Sequence, residues 1–233
     1  MHFWETKYSQ RLIFSQDLKR NVELIYYIDL SKNWAFFTED FFIELWNVDI
    51  IDTKNHMTLI RTFKAHNQRI TDIEQIRLSR LLATSSFDGL IRIWDFNTSQ
   101  LITELKDPTV ASHNFKDFGS GFRSMSYTTE CGGYLLTTGF NQYISVFSPD
   151  TSLSKSYVGK LEGHSGIVLV CEVFEGTPHC ISVDDKFNIR VWDLRNFLTI
   201  QIIRDNIMKA NNVVTALCLL PGQDRFCIGG KRV

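Results

Sequence analysis

Short stretches of alternating apolar and polar residues recur along this chain. One example is Leu82–Ser86 followed by Leu90–Asp95, with Asp88 and Gly89 between them. Asp-Gly between two β-prone runs favours a hairpin, because glycine accepts the positive φ that tight two-residue turns require. No helix start follows the glycine, so a phosphate-binding loop is disfavoured. The pattern predicts a strand, a turn and a second strand.

The same hairpin occurs four times. With the chain aligned on Trp94, the other copies end at Trp46, Phe147 and Trp192, and the successive spacings are 48, 53 and 45 residues. We therefore predict strand pairs that turn near four positions: Asp40, Asp88, Asn141 and Lys186.

Histidines and cysteines follow the same period. His66 lies 28 residues before Trp94, and His164 lies 28 residues before Trp192. Cys171 and Cys180 are nine residues apart, as are Cys218 and Cys227, and the two pairs are offset by 47 residues. We expect the two pairs to occupy matching positions on matching strands. Their spacing does not fit a zinc site, whose ligands usually come from C-x₂₋₄-C pairs.

A Gly-His about 28 residues before Trp-Asp, with four short strands per unit, resembles the WD40 repeat. The resemblance implies an all-β fold, a WD40-type β-propeller with about four and a half four-stranded blades, incomplete as given. We expect one partial propeller over residues 1–233. Its blade units would be approximately 15–63, 64–105, 106–161, 162–204 and a truncated 205–233. Either the sequence is part of a longer chain, or neighbouring chains cover the open edge.

The resemblance also implies a buried hydrogen-bonded chain of Trp, Ser or Thr, His and Asp in each blade. The unit ending at Trp94 carries the complete set His66, Thr84, Asp88 and Trp94. The last full unit keeps three positions, with Lys186 where the acid belongs: His164, Ser182 and Trp192. The units ending at Trp46 and Phe147 lack parts of the set, so we expect them to depend on apolar packing.

Composition narrows the class of protein. The 233 residues carry a formal net charge of −1, which gives no electrostatic case for nucleic acid or an anionic membrane. No apolar run approaches the roughly 20 residues of a membrane span, and the polar start is unlike a signal peptide. Five cysteines without a closely spaced pair argue against a secreted disulfide framework. We expect a cytoplasmic protein without a cofactor.

Catalytic patterns are weak. Asp184 and Asp185 are adjacent on a strand and would point to opposite faces, so we expect turn-solvated acids rather than an acid–base pair. There is no G-x-S-x-G elbow. An enzyme that used a propeller channel would need carboxylates converging on its axis. The chain is predicted not to be an enzyme.

Two features are candidates for partner binding. The irregular insertion Lys106–Phe122 contains His113, Phe115 and Phe118, and long loops on rigid scaffolds often carry recognition. The alternative is a loop folded onto its own blade. Val191–Arg195 resembles the Trp-Asp-x-Arg signature of ubiquitin-ligase substrate receptors, in which Arg195 would contact an adaptor. The alternative is a cation of no special role at a strand end.

These observations predict a non-catalytic protein-interaction scaffold. The imperfect blades and aromatic richness resemble cilia-associated WD-repeat proteins, which implies a structural component of a ciliary or axonemal microtubule assembly, with tubulin or axonemal proteins as partners. Cytoskeleton and cilium are the expected location. The alternative is a substrate-receptor subunit of a cullin-type ubiquitin ligase.

Overall fold

The computed structural model describes residues 2–5, 11–15, 18–29, 31–49, 56–109, 121–150, 155–204, 212–220 and 225–232. Three of the candidate partner-binding residues, His113, Phe115 and Phe118, lie outside these ranges. The described chain is nearly all β, as predicted, and forms antiparallel sheets. It divides into two compact units, Met1–Arg69 and Ile70–Val233.

The first unit contains a two-stranded and a four-stranded sheet. Strand β1 pairs with β2, and the second sheet has the order β3-β4-β5-β6. The strands are β1 (His2–Glu5), β2 (Arg11–Ser15), β3 (Val22–Ile28), β4 (Asn33–Thr38), β5 (Phe42–Asp49) and β6 (His56–Lys64).

The second unit contains three four-stranded sheets and a final pair, each with neighbours in the sequence adjacent in space. Strands β7 (Ile70–Ile76), β8 (Leu81–Ser86), β9 (Ile91–Asp95) and β10 (Gln100–Leu105) form the first sheet. The next sheet contains β11 (Phe122–Thr128), β12 (Tyr134–Gly139), β13 (Tyr143–Phe147) and β14 (Tyr157–Glu162). Strands β15 (Val168–Val173), β16 (His179–Asp184), β17 (Asn188–Asp193) and β18 (Leu198–Arg204) form the third. The final pair is β19 (Asn212–Leu219) and β20 (Phe226–Arg232).

The four predicted turns are confirmed: Asp40, Asp88, Asn141 and Lys186 each lie between the second and third strands of a four-stranded sheet. The turn type differs from the two-residue form expected at Asp88-Gly89. The N–H of Gly89 donates to the carbonyl of Ser86, and Gly89 has φ 78°. This is a three-residue hairpin loop that ends in a left-handed residue.

Two of the other blades repeat this turn without glycine. Phe41 and Phe187 stand where the sheet formed by β7–β10 has Gly89, with φ of 69° and 58°. Their N–H groups donate to the carbonyls of Thr38 and Asp184 in the same way. A left-handed φ is uncommon for a residue with a Cβ, so the surrounding sheet must hold these turns against local strain.

Apolar side chains pack between neighbouring sheets of the second unit. One cluster joins Ile91 and Ile93 of β9 to Phe122 and Phe147 of the next sheet. A second cluster places Trp192 against Ile144 and Val146 of the preceding sheet. Each sheet therefore covers the face of the next one, as in the blades of a propeller.

The first two strands of each four-stranded sheet, and the final pair β19–β20, share an irregular register at one position. The shift falls between Ile70 and Asp72 in β7, and at the corresponding places in β3, β11, β15 and β19. Counting from this shift, Cys218 corresponds to Glu172, whereas Leu217 corresponds to Cys171. The expectation that Cys171 and Cys218 match was therefore wrong by one residue, because equal spacing in the sequence ignored where the bulge lies.

In the part of the chain that the structure describes, no helix is long and apolar enough to span a bilayer.

Candidate functional site

A buried hydrogen-bond chain runs through the sheet formed by β15–β18. The indole N–H of Trp192 donates to Ser182 Oγ at 2.8 Å, and Ser182 Oγ lies 2.7 Å from His164 Nε2. His164 Nδ1 lies 3.0 Å from a carboxylate oxygen of Asp184. A carboxylate only accepts, so Nδ1 donates and the serine hydroxyl is left to donate to Nε2. Each member thus donates to the next, from tryptophan to aspartate.

Asp184 receives most of the donors in this sheet. The N–H groups of Lys186 and Asn188 donate to its Oδ1 at 3.0 and 2.8 Å, and the Asn188 side-chain amide reaches both carboxylate oxygens. Burial acts to raise the pKa of Asp184, but the hydrogen bonds from His164 and Asn188 outweigh it and hold the pKa at about 2. Asp184 is fully buried. It is therefore an ionised acid inside the sheet.

This arrangement differs from the expected one in the identity of the acid. Aligning the repeats on their tryptophans puts Lys186 at the acid position, and Asp184 is expected to be a solvated acid in a turn. In the structure the carboxylate comes from Asp184, two residues earlier. The corresponding residue of β8 is Ser86, and its Oγ accepts the N–H of Asp88. The adjacent aspartates Asp184 and Asp185 indicated an acid here, but counting a fixed number of residues back from Trp192 leads to Lys186 instead.

The sheet formed by β7–β10 contains part of the corresponding set. The indole N–H of Trp94 donates to Thr84 Oγ1 at 2.9 Å, and both residues are buried. A carboxylate oxygen of Asp88 accepts the N–H of Leu90 at 3.1 Å, which holds the hairpin turn. His66 belongs to the first unit, where it is fully buried and its N–H donates to the carbonyl of Phe41.

In the first unit, the indole of Trp46 finds a different acceptor. Its N–H donates to a carboxylate oxygen of Glu44 at 3.0 Å, and its ring stacks on Phe36 with centroids 5.9 Å apart. Arg20 lies 3.7 Å from Glu44 and covers the ring of Phe42 at 4.3 Å. The expected apolar packing is present, but a charged pair supplements it where the hydroxyl is lacking.

The sheet formed by β11–β14 has a polar network of its own. Asp107, which is buried, accepts hydrogen bonds from Ser145 Oγ at 2.5 Å and from the N–H and hydroxyl of Thr109 at 2.8 and 2.6 Å. Thr109 Oγ1 also lies 2.5 Å from the hydroxyl of Tyr143. Asp107 therefore fixes the first residues of the Lys106–Phe122 insertion to its own sheet.

We expect Asp107→Asn to lower the free energy of unfolding by about 1 kcal/mol, because the amide retains one acceptor oxygen and presents a donor to the other hydroxyl. Urea denaturation at neutral pH measures the change. Asp150→Asn, at an exposed position near the end of the same sheet, is the control. An Asp107→Asn midpoint equal to that of the wild type would show that the network adds no net stability.

Three acidic side chains, Asp72, Glu74 and Glu172, lie close together on the first strands of the sheets of the second unit, β7, β11 and β15, which we call the inner strands. Asp72 on β7 accepts the N–H of Met125 on β11 at 2.7 Å and that of Ile73 at 2.8 Å. On β11, Ser126 Oγ accepts the N–H of Val173 on β15 at 3.2 Å. These side chains link the inner strands of consecutive sheets, a role that no pattern in the sequence indicated.

Burial dominates the titration of this acidic group. It raises the pKa of Asp72 to about 6, against the lowering effect of its backbone hydrogen bonds. Burial and, second, the charge of Asp72 raise the pKa of Glu172 to about 7. Burial and both neighbouring carboxylates raise the pKa of Glu74 well above its usual value. The group is therefore partly protonated near neutral pH.

A cavity of about 220 Å³ opens beside these acids, with Glu74, Ser126 and Glu172 in its wall. Arg77 also lines it, but its guanidinium pairs with Glu175 at 3.0 Å. The described residues contain no group of three or more His, Cys, Asp and Glu side chains that could hold a metal ion. The inner strands thus carry both carboxyl and hydroxyl side chains. The hydrogen bonds that the structure describes for these side chains join one sheet to the next.

Arg195 makes its contacts within its own turn. Its guanidinium donates to both carboxylate oxygens of Asp193, at 2.9 and 2.7 Å, while the side chain stays 63% exposed. The hydrogen bond and charge of Arg195 hold the pKa of Asp193 at about 2. A partner that used Arg195 would compete with this bidentate pair.

Exposed apolar side chains concentrate on the last strand of each four-stranded sheet, β6, β10, β14 and β18, which we call the outer strands. Leu198, Ile200 and Ile202 lie along β18 with exposed fractions of 63%, 55% and 44%. The register skips Ile200 between the pairs Trp192–Thr199 and Val191–Gln201, and this bulge breaks the alternation, so the three side chains form an exposed apolar stretch along the strand rather than a row on one face. Leu101 and Ile102 are exposed on β10. Contiguous exposed apolar surface often marks an interaction site.

Comparison with known families agrees with the repeat. Residues 57–95 match the family model described as WD40, "WD domain, G-beta repeat". This segment contains His66, Thr84, Asp88 and Trp94. The WD40 resemblance is thereby confirmed, and the four-stranded antiparallel sheets are consistent with WD40 propeller blades.

Two relatives share similarity over more than half of the chain. A Tetrahymena thermophila protein named "Cilia- and flagella-associated protein 337 B" is 28% identical over 137 residues, which is 59% of this chain and 10% of the relative. A Schizosaccharomyces pombe protein named "U3 small nucleolar RNA-associated protein 21 homolog" is 29% identical over 142 residues, or 61% of this chain and 14% of the relative. The chain thus matches only a small part of either relative's length.

Proposed function

We propose that this protein is a non-catalytic protein-interaction scaffold. The observation that carries the proposal is the stretch of exposed apolar side chains, Leu198, Ile200 and Ile202, on the outermost strand of a sheet whose buried interior is held by hydrogen bonds between polar side chains. A rigid blade with exposed apolar side chains on its outer strand suits docking of another protein. Other support comes from the WD40 match, since propellers of this type bind other proteins through their rims and loops.

The acids on the inner strands do not change this proposal. Catalysis in a channel would call for carboxylates that converge on a substrate, and Asp72, Glu74 and Glu172 do lie near one another. Asp72, however, accepts two backbone N–H groups, one of them from the next sheet. We therefore assign these acids a structural role in joining the blades. The carboxylate of Asp72 contacts backbone N–H groups rather than a substrate.

We further propose a structural role in a ciliary or axonemal microtubule assembly, with tubulin or axonemal proteins as partners. The support is the similarity to the cilia- and flagella-associated relative, together with a net charge of −1, which gives no electrostatic case for nucleic acid. Arg195 supports the ubiquitin-ligase alternative less well, because Asp193 already occupies its guanidinium.

The test is co-sedimentation of the purified chain with isolated axonemal microtubules. We expect the wild type to sediment with them, and the double variant Ile200→Lys with Ile202→Lys to bind about tenfold more weakly, equivalent to about 1.4 kcal/mol. Both side chains are exposed, so the thermal melt should change little.

Val158→Lys, at an exposed apolar position on the outer strand β14, is the matched control and should keep wild-type binding. Failure of the wild type to sediment would reject the axonemal role. Equal binding by the double variant and the wild type would reject the exposed apolar stretch on β18 as the docking surface.

A further inference from the structure

Two cysteines stand directly opposite each other on the last pair of strands. Cys218 on β19 is the register partner of Cys227 on β20. Side chains of directly opposed residues in an antiparallel pair point to the same face of the sheet. Both thiols are free and exposed. The Cys218 thiol donates to the carbonyl of Leu219 at 3.4 Å, a contact with its own neighbour that leaves the sulfur accessible.

The other two strand cysteines provide the contrast. Cys171 and Cys180 are free but fully buried. Their register partners are Ser182 and Val173, so the two thiols are not opposed. Burial also raises the pKa of both thiols, which disfavours the reactive thiolate. Exposure and opposition occur together at Cys218 and Cys227 alone among the cysteine pairs on the described strands.

The register also limits the strength of a bond between them. The N–H of Leu220 donates to the carbonyl of Arg225 at 3.0 Å, so 220 and 225 are a hydrogen-bonded pair. Alternation along the ladder puts Cys218 and Cys227 in the same class, with Cα atoms about 5.5 Å apart, inside the usual range for disulfides. Their Cβ atoms, typically about 5 Å apart, must approach to about 4 Å. A disulfide here is therefore strained and readily reduced.

We propose that Cys218 and Cys227 form a reversible thiol–disulfide site that reacts with low-molecular-weight disulfides. The thiolate of one cysteine attacks the small disulfide, forms a mixed disulfide and releases one small thiolate. The second cysteine then attacks the protein-bound sulfur and releases the other small thiolate. The protein loses two electrons and two protons, and the small disulfide is reduced to two thiols. The new bond fixes the register of β19 and β20.

Oxidised glutathione is the probe, added to the whole chain before the remaining thiols are alkylated. We expect two of the five free thiols to disappear while three remain. Trypsin cleaves after Lys209, Arg225 and Lys231, so the two cysteines fall on separate peptides. The oxidised protein should yield peptides 210–225 and 226–231 joined by a disulfide, and dithiothreitol should separate them.

Variants identify the second step. In Cys218→Ser the resolving thiol is missing, so Cys227 should retain one glutathione as a mixed disulfide. Cys131→Ser, which removes a partly exposed cysteine away from this pair, should still form the cross-link. Separate glutathione on Cys218 and Cys227 in the wild type, cross-linked dimers, or five alkylated thiols after oxidation would each overturn the proposal.

Discussion

Asp184→Ala should lower the free energy of unfolding by about 4 kcal/mol, the largest effect expected from a single substitution in this chain. The change removes, from a fully buried position, the acceptor of His164 Nδ1–H, of the Asn188 side chain and of two backbone N–H groups. Each donor left without a partner keeps its desolvation cost. Denaturant titration at pH 7 measures the loss.

Lys186→Ala is the control, since this exposed side chain reaches only the carbonyl of Ser165. We expect a change within about 0.5 kcal/mol. Together the two substitutions test which position supplies the acid of the hydrogen-bond chain, because aligning the repeats puts it at 186 and the structure puts it at 184. Equal midpoints for the two variants, or a larger loss for Lys186→Ala, would contradict the network.

Acid titration provides a second readout for Asp184. Its folded pKa of about 2 lies below the ordinary value of 3.8, so its contribution is fully present above pH 3.8. That contribution is lost as the pH falls through 3.8 toward 2, because the unfolded chain then binds the proton first. The wild type should therefore lose stability in this window more steeply than Asp184→Ala.

Much of the fold could be predicted from the sequence, because hairpins leave local signals. The alternation around Asp88-Gly89 and its three copies placed all four turns, each between the predicted strands. The three-residue form of the turn was not predicted. Phe41 and Phe187 adopt a left-handed φ at the position of Gly89, and no local preference of phenylalanine indicates that.

The polar networks were less predictable because they depend on distance in space rather than on spacing. The positions His164, Ser182 and Trp192 follow from the repeat, whereas Asp184 replaces the expected acid from two residues away. The inner-strand acids were not predicted either. Asp72 and Glu172 are 100 residues apart, and only the packing of β7, β11 and β15 brings them together.

The stability of the wild type should fall as the pH rises from about 5 to 8. Glu172 has a folded pKa of about 7 against an ordinary value of 4.5, because burial and the nearby charge of Asp72 disfavour its ionised form. The folded chain holds this proton between pH 4.5 and 7, whereas the unfolded chain has lost it. Stability from this group is therefore complete below pH 4.5 and is lost as the pH rises through 7. Asp72 acts in the same direction between 3.8 and about 6.

Glu172→Gln should remove the larger part of this slope, because glutamine keeps the shape of the side chain and cannot ionise. We expect the variant to match the wild type near pH 5 and to be more stable by about 2 kcal/mol at pH 8, a value reduced from the full shift because the side chain is only partly buried. Denaturant midpoints at both pH values measure this. Glu175→Gln is the matched control: its side chain is 85% exposed, and it should leave the pH slope unchanged. A Glu172→Gln variant less stable than the wild type at pH 8 would contradict this prediction. It would mean that the ionised carboxylate of Glu172 makes a stabilising contact in the folded chain.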